Sequence, residues 1–528
     1  MTRLRVIADP FVASPSTGVR IRDRIKGITA ADEQVLRLVG EHLGRLASAD
    51  LARRVHDGFD HDSERWADRK RDLTPLSSSR WAGSITKATN DQWSLARRAQ
   101  HAHVQSLRAG VAMIRHRLSL PVGERGSRGQ PGGYRSQQEW HAKSRRLVTH
   151  EARLAAVEAD RAARHVSVVR GGKRLLRKRH NLGAAGLTVA QWRQEWEASR
   201  WFISADGESG KRCGNETIRV TSDGEVSLRL PTPLAHLTNA PHGRYVLGGR
   251  IAFAHRGDEW RDRVAANQAV AYRIHHNPGK DRWYLDASWR RKDTPVALLE
   301  TLWAGEVIGA DMNADHLAAW RLDPHGNPTG KPRTFTYGLT GTATHRDAQV
   351  RHALTRLLHW ATDTGAKAIA VEDLDFNGSK TREHHGHRKR FRHLVSGMPT
   401  SRLRARLLAM ATDTGIAVIA VDPAYTSRWG AQHWQKPTTT PTRKTTRHEA
   451  AAIAIGRRAL GHRIRRRTAP PRQHQTDAAG HRNLQAGSGT RGREEARQPG
   501  PGPRTRSVAP TESVRGQPGD PTPFGAAH

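Results

Sequence analysis

Cysteine is almost absent from this sequence: Cys213 is the one cysteine in 528 residues. A single thiol excludes a disulfide framework within the chain, and it excludes a zinc site built from paired cysteines. The sequence therefore predicts no structural zinc. Such low cysteine usage is typical of a reducing compartment, so we expect a cytoplasmic protein.

Long apolar runs are also missing. No stretch reaches the roughly eighteen apolar residues that a membrane-spanning helix needs. The first residues show no signal-peptide pattern either. We therefore expect no membrane partner.

Acidic residues are scarce relative to basic ones. The chain has 88 Lys and Arg against 50 Asp and Glu, which gives a formal net charge of +38 and an isoelectric point of 11.4. This excess is larger than solubility requires, and it indicates a polyanionic partner, above all nucleic acid. The sequence thus predicts a nucleoid-associated protein of the cytoplasm.

Changes in composition and periodicity divide the sequence into four segments. Helical periodicity dominates the first, short apolar runs between turn residues dominate the second, and strands alternate with helices in the third. The fourth is rich in Pro, Gly, Gln and Arg, a composition typical of a disordered basic tail. The predicted segments are a helical lobe over 1–199, a small β-barrel over 200–302, an α/β domain over 303–465 and the tail over 466–528. The predicted fold class is multidomain, with α+β and α/β parts.

Two stretches of the third segment repeat one another. ATDTGAKAIAVEDLDF (361–376) and ATDTGIAVIAVDPAYTS (411–427) share their opening letters, continue as a short apolar run and reach a carboxylate. In each copy a helical leucine pattern stops at a glycine, and the apolar run is typical of a strand buried on both faces of a parallel sheet. Glu372 and Asp422 are therefore predicted to lie at the carboxyl ends of neighbouring strands, where open α/β sheets place their chemistry.

The remaining elements of this segment complete a known order. EVIGADMNADHLAAWRLDPHGNPTGKPRTFTYGL predicts three strands in a meander, and helices separate the later strands. The order β-β-β-α-β-α-β-α is that of the ribonuclease-H-like fold, in which the first strand lies beside the fourth. Asp311 on the first strand and Glu372 on the fourth are therefore predicted to face one another.

Carboxylates this close repel one another and stay ionised only if a cation neutralises them. Two Mg²⁺ ions held about 4 Å apart by such acids activate water and stabilise the leaving oxygen in phosphodiester cleavage. The surplus of basic residues would hold the phosphate backbone. Asp311 and Glu372 are thus candidate catalytic ligands for Mg²⁺ or Mn²⁺.

At these residues the sequence resembles the TnpB proteins, transposon-encoded relatives of the type V CRISPR nucleases with a split RuvC-like nuclease domain. VIGADMNADHLAAW is similar to the first RuvC segment, AIAVEDLDF to the second, and AVDPAYTSRWG to the stretch before the zinc ribbon of that family. More weakly, 1–199 resembles a recognition lobe with part of a wedge domain, and 200–302 resembles a wedge barrel. The resemblance implies an RNA-guided, Mg²⁺-dependent DNA endonuclease whose guide RNA comes from the flank of its own mobile element.

The sequence departs from that family in two places. The stretch RWGAQHWQKPTTTPTRKTTR (428–447) has none of the paired cysteines of the zinc ribbon. In the third RuvC segment, the family has an Asp at the start of the last helix, and here His448 occupies that position with Glu449 beside it. A neutral imidazole is an accepted metal ligand. The third catalytic group is therefore His448, Glu449 or Asp422, and a non-functional segment is the alternative.

Two basic clusters are candidate nucleic-acid contacts. The first is RGGKRLLRKRHNL, and the second is SKTREHHGHRKRFRH, which we interpret as a flap over nucleic acid because its His spacing fits no standard metal motif. Trp81 and Trp93 are interpreted as core residues rather than as base-stacking ones. The candidate contacts are Lys173, Arg174, Arg177, Lys178, Arg179, Arg388, Lys389, Arg390 and Arg392.

Three other functions compete with a guided endonuclease. The altered third segment favours an RNA-guided DNA-binding protein that has lost cleavage, although the retained Asp311 and Glu372 argue against it. A conventional ribonuclease-H-like transposase would use the same acids, but the N-terminal sequence shows no helix-turn-helix pattern to bind element ends. A plain RNA-binding protein explains the charge and leaves the acids unexplained.

Overall fold

The computed structural model describes residues 6–58, 63–126, 131–291, 295–338, 340–373 and 400–464. They form two compact units: unit A comprises 18–291, and unit B comprises 6–17 together with 295–464. The predicted tail over 466–528 lies outside the described residues, as do Arg388, Lys389, Arg390 and Arg392 of the predicted flap.

Strands and helices are both abundant, so the predicted mixed α and β content is confirmed. The strands are β1 (Phe11–Val12), β2 (Gly18–Arg24), β3 (Ser204–Ala205), β4 (Ile218–Val220), β5 (Glu225–Arg229), β6 (Arg244–Arg250), β7 (Ala271–Asn277), β8 (Arg282–Arg290), β9 (Val307–Met312), β10 (His316–Leu322), β11 (Pro328–Thr336), β12 (Ala368–Glu372) and β13 (Ala417–Val421). The α-helices are α1 (Ala30–Asp57), α2 (Ser63–Leu73), α3 (Ser79–Leu118), α4 (Gln137–Ala162), α5 (Lys173–Lys178), α6 (Leu182–Ala185), α7 (Val189–Arg200), α8 (Gly257–Ala265), α9 (Leu299–Trp303), α10 (Ala343–Asp363), α11 (Thr400–Thr414), α12 (Thr426–Gly430), α13 (Lys436–Thr438) and α14 (Arg447–Ala459). None of the described helices combines the length and apolar character needed to cross a membrane.

Unit A packs long helices together with two small sheets. The sheets have the strand orders β2-β8-β7-β3 and β4-β5-β6. The strands predicted to form a barrel belong to these sheets, and β2 joins them because it pairs along the length of β8. The segment boundary at 199 therefore falls inside this unit. Trp81 and Trp93 are buried, with 0 and 2% of their surface exposed, which confirms the core interpretation.

Unit B is built on a mixed sheet with the strand order β1-β13-β12-β9-β10-β11. β9, β10 and β11 form an antiparallel meander, whereas β12 pairs in parallel with β9, and β13 in parallel with β12. The predicted order of elements is confirmed, and the first strand of the meander does lie beside β12.

Alternation along the strands gives this sheet two apolar faces. Ile308 and Ala310 of β9 pack into one core together with leucines of α10 and α11. Val307 belongs to the opposite core, which contains the alanine-rich α14. Residues on β9 with odd numbers therefore face α14.

The N-terminal residues complete the sheet at one edge. Phe11 and Val12 pair antiparallel with Ala420 and Ile419 of β13, and the N–H of Ala13 donates to the carbonyl of Val418 at 2.8 Å. The sequence placed this segment with the helical lobe, because a two-residue strand has no periodicity that distinguishes it from a loop.

Candidate active site

Three acidic residues lie where neighbouring parallel strands of unit B end. β9 and β12 run in register, with Ala310 opposite Val371. The residues that follow, Asp311 and Glu372, are therefore adjacent across the two strands. Asp422 follows Val421, the last residue of β13, and Val421 is the pairing partner of Glu372 on β12. These acids are buried, with 5, 8 and 5% of their surface exposed in the order Asp311, Glu372 and Asp422.

His448 reaches Asp311 from the first turn of α14. Its Nδ1 lies 2.8 Å from Oδ2 of Asp311, and Asn313 Nδ2 donates to the same oxygen at 3.0 Å. The hydrogen bond to Asp311 is the main cause that raises the pKa of His448 above its ordinary value. A protonated imidazole donates to the carboxylate, and the nitrogen that donates does not bind a cation. The geometry therefore makes His448 a partner of Asp311.

Small residues let α14 approach β9 closely enough for this contact. A Cβ added to Gly309 would lie 2.0 Å from the carbonyl oxygen of Ala452 and 2.7 Å from the amide nitrogen of Gly456. Gly309 and Asp311 are two residues apart on β9, so they face the same side of the sheet. The packing of the helix on Gly309 therefore determines how near His448 comes to Asp311.

Glu449, the neighbour of His448, has other partners. Its Oε2 accepts from the N–H of Thr446 at 2.7 Å, while the Thr446 hydroxyl accepts from the N–H of Glu449, which forms a capping box at the start of α14. Its Oε1 lies 3.0 Å from Nη1 of Arg443. The structure thus brings His448 to Asp311 and engages Glu449 in the helix cap, for which Thr-x-x-Glu before an apolar run is the sequence signal.

Burial shifts the ionisation of Glu372. Desolvation raises its pKa from the ordinary 4.5 to about 7, and the charges of Asp311 and Asp422 act in the same direction. A hydrogen bond from the Thr426 hydroxyl to Oε1 and the charge of buried Arg458 oppose the rise. Because burial is the main cause, a cation placed beside Glu372 would lower this pKa again.

Both carboxylate oxygens of Asp422 accept from the backbone. Oδ1 accepts from the N–H of Ala424 at 2.8 Å, the local turn typical of Asp before a proline. Oδ2 accepts from the N–H of Ala8 at 3.0 Å, which ties the N-terminal segment to this loop. Asp422 therefore shapes the loop beside the site, and its charge acts on Glu372.

The donors at the strand ends fit a hard divalent cation. Asp311 and Glu372 offer carboxylate oxygens, the ligands that Mg²⁺ and Mn²⁺ prefer, and a bound cation reverses a raised carboxyl pKa. Among the described residues, one group brings three possible metal-ligand atoms within 4.8 Å of one another. It lies in unit A and consists of Glu33, His276 and Asp281. At the strand ends, Asp311 and Glu372 would be two carboxylate ligands, and Mg²⁺ is usually bound by one or two carboxylates together with water.

The group in unit A already has protein partners. His276 Nε2 lies 2.9 Å from Oδ1 of Asp281, and Arg37 Nη2 lies 2.6 Å from Oε1 of Glu33. The guanidinium holds one oxygen of the Glu33 carboxylate, so a cation would compete with it. We therefore assign this group to the support of the turn between β7 and β8.

The stretch that stands in place of the zinc ribbon is a compact helical segment. α12, a π-helical turn at Ala431–Gln435 and α13 follow one another directly. Trp429 and Trp434 are buried in the core that includes α14. A Cβ on Gly430 would lie 2.5 Å from the carbonyl oxygen of Ala450, so the segment is held tightly against α14.

The basic cluster of unit A lies on α5 and just after it. Lys178 Nζ is 3.8 Å from Glu195 of α7, whereas the exposed members of the cluster are Arg174, Arg177 and Arg179. On α7, Trp192 and Trp196 stack with their ring centroids 6.0 Å apart, and Trp192 Nε1 donates to the carbonyl of Leu175 on α5 at 2.8 Å. This tryptophan pair was not predicted, and its i,i+4 spacing on one helix face is the signal for it.

No family model matches the sequence, and no curated protein matches it. Among solved structures, one likeness is to RuvC of T. thermophilus, solved in complex with a Holliday junction substrate. The two chains are 17% identical, and the match covers 29% of this chain and 91% of RuvC with a TM-score of 0.21. At that score the likeness is weak and carries no argument about activity.

Proposed function

We propose that this protein is a metal-dependent DNA endonuclease with a ribonuclease-H-like, RuvC-like domain. The observation that carries the proposal is the adjacency of Asp311 and Glu372 at the ends of two parallel strands, with His448 bonded to Asp311. Buried acids at one edge of a sheet are suited to hold divalent cations next to a phosphodiester. When bound there, Mg²⁺ or Mn²⁺ would supply an activated water and charge stabilisation at the leaving oxygen.

The residues around these acids adjust them for that role. Asp311 is held by two donors, His448 and Asn313, on a single carboxylate oxygen. Glu372 is kept in a desolvated position where its charge depends on a cation partner. In this proposal, Glu449 and Asp422 stabilise the helix and the loop that border the site.

The finer proposal is RNA-guided cleavage by a TnpB-like protein of a mobile element. The sequence resemblance and the net charge of +38 support a guide RNA from the flank of the element and a matched DNA target. The exposed arginines of the α5 cluster supply cations for an RNA backbone. We propose Lys173 and Lys178 for the same contact, and the four basic residues at 388–392 for the flap over nucleic acid.

The test is cleavage by protein co-expressed with its own genomic flank, so that native RNA copurifies. The substrate is DNA matched to that RNA beside a randomised flank, with Mg²⁺ or with EDTA. We compare wild type, Asp311→Asn and the control Asp363→Asn, which removes an exposed acid at the end of α10. We expect Mg²⁺-dependent cutting that survives Asp363→Asn and is lost in Asp311→Asn.

The other outcomes separate the competing functions. Matched DNA that is bound and never cut by wild type indicates a guided DNA-binding protein. Joining of DNA ends without any requirement for RNA indicates a conventional transposase. Cutting that is equal in Asp311→Asn contradicts the site itself.

A further inference from the structure

A buried hydroxyl contacts the carboxylate of Glu372. Thr426 exposes 1% of its surface, and its Oγ1 donates to Oε1 of Glu372. The same hydroxyl lies 3.0 Å from the carbonyl oxygen of Pro423. Because carboxylate and hydroxyl are both removed from water, the orientation of this acid is set by protein contacts rather than by solvent.

The loop that carries Thr426 is fixed on several sides. The carboxylate of Asp422 accepts from the N–H groups of Ala424 and Ala8 at 2.8 and 3.0 Å. The buried guanidinium of Arg458 donates to the carbonyls of Asp422 and Ala424. Tyr425, immediately before Thr426, has a positive φ of 66° that turns the chain into α12. The hydroxyl is therefore presented from a braced loop, so its position is defined before any ligand arrives.

We propose that Thr426 is a positioning residue that orients Glu372 for cation binding, an inference that rests on the proposed function. A carboxylate at the end of a strand is free to rotate about its terminal bonds, and that freedom is lost when a cation binds. A hydrogen bond to one oxygen removes the freedom in advance and leaves the other oxygen for the cation. Partners of this kind are worth about 10- to 100-fold in metal affinity or activity.

The two similar stretches of sequence end differently, and each ending contributes one of these two groups. The first copy of the helix–strand pattern ends in Glu372, the acid itself. The second ends in the loop Asp422–Thr426, whose last residue holds that acid. The repeated pattern thus places an acid at the end of β12 and its positioning hydroxyl on the first residue of α12, shortly after the neighbouring strand β13.

The experiment compares Thr426→Val, Thr426→Ser and the control Thr86→Val in the full-length protein with its copurified RNA. Val keeps the shape of Thr and removes the hydroxyl, whereas Ser keeps the hydroxyl. Thr86 is also buried, but its Oγ1 has no hydrogen-bond partner among the residues that the structure describes, so Thr86→Val controls for the chemical change itself. Mn²⁺ binding is measured by electron paramagnetic resonance of the free ion, thermal melting reports folding, and cleavage is titrated against Mg²⁺.

We expect Thr426→Val to bind Mn²⁺ at least about 10-fold more weakly and to need correspondingly more Mg²⁺ for half-maximal cleavage. Cleavage should recover at high Mg²⁺, and Thr426→Ser and Thr86→Val should behave as wild type. Unchanged Mn²⁺ affinity in Thr426→Val overturns the inference alone. Equal weakening in Thr426→Ser also overturns it, because the hydroxyl would then not be the cause. If wild type itself neither binds Mn²⁺ at this site nor cleaves, the proposed function fails and takes the inference with it.

Discussion

Replacing Gly309 with alanine should disturb the packing of α14 on β9 and, through it, the site. The added Cβ would lie 2.0 Å from the carbonyl oxygen of Ala452 and 2.7 Å from the amide nitrogen of Gly456. Both contacts are with backbone, so neither is relieved by turning a side chain. The helix and strand must separate by roughly 1 Å or more to restore van der Waals distances.

The expected cost follows from that separation. Overpacking a close-packed core costs about 1–3 kcal/mol, and each kcal/mol lowers the melting temperature of a unit of this size by about 2–4 °C. Unit B should therefore melt roughly 2–12 °C lower in Gly309→Ala. His448 moves with the helix, which lengthens the 2.8 Å contact to Asp311. A misplacement of about 1 Å can reduce cleavage by about 100-fold.

Thermal melting followed by circular dichroism and Mg²⁺-dependent cleavage are the two assays. The matched control is Gly338→Ala, since among the described residues the nearest atom to a Cβ there is Thr340 Oγ1 at 3.8 Å. The control should keep the melting temperature and activity of wild type. If Gly309→Ala melts and cleaves as the control does, then close helix packing does not place His448 beside Asp311.

Three further predictions concern pH, capping and charge. Burial raises the pKa of Glu372 to about 7. Without metal, the native state therefore keeps a proton that the unfolded state loses above its ordinary pKa, so the free energy of unfolding should fall by up to about 3 kcal/mol as the pH rises from about 4.5 to about 7. Thermal melts across this range should show the fall in wild type and not in Glu372→Gln. Glu449→Ala should remove about 1 kcal/mol of helix capping and lower the melting temperature of unit B. The Mg²⁺ concentration needed for half-maximal cleavage should stay unchanged, and a higher one would mean that Glu449 is a metal ligand. Replacing Arg174, Arg177 and Arg179 with alanine should reduce the slope of log affinity against log salt concentration by about 2 for single-stranded RNA, as measured by fluorescence anisotropy. The control removes the same charge at Arg71, Arg153 and Arg212, which are also exposed, and it should change this slope less.

The strand ends could be predicted because their signal is local. Continuous apolar runs indicate strands buried on both faces, and the order of elements then places the first strand beside the fourth. Asp311 and Glu372 follow from those two steps, and the register between Ala310 and Val371 agrees with them. The capping role of Glu449 also has a local signal, Thr446 three residues before it, but Glu449 was predicted as a candidate catalytic group instead.

The partners of the acids could not be read from the sequence. His448 reaches Asp311 because Gly309 lets the backbones of β9 and α14 approach closely. Gly309 and Ala452, which meet at this approach, are 143 positions apart in the sequence, and no periodicity encodes such a contact. Thr426, which follows β13, contacts Glu372 at the end of the neighbouring strand β12. The turn before Thr426 has a positive φ at Tyr425, and tyrosine does not signal such a turn. Tertiary contacts of this kind depend on the assembled sheet and helix together.

The short strand β1 has a consequence for synthesis. Val12 leaves the ribosome about 400 residues before its partner Ile419, which corresponds to roughly 20–80 s at about 5–20 residues per second. Unit A is continuous in sequence and can fold during that interval, whereas unit B cannot close its sheet until nearly all of its residues have been made. A variant that begins at residue 18 would leave β13 with an open edge, and open strand edges pair with other chains. The pairing of β1 with β13 therefore forms only after β13 has been made, and removal of β1 should make unit B prone to aggregation.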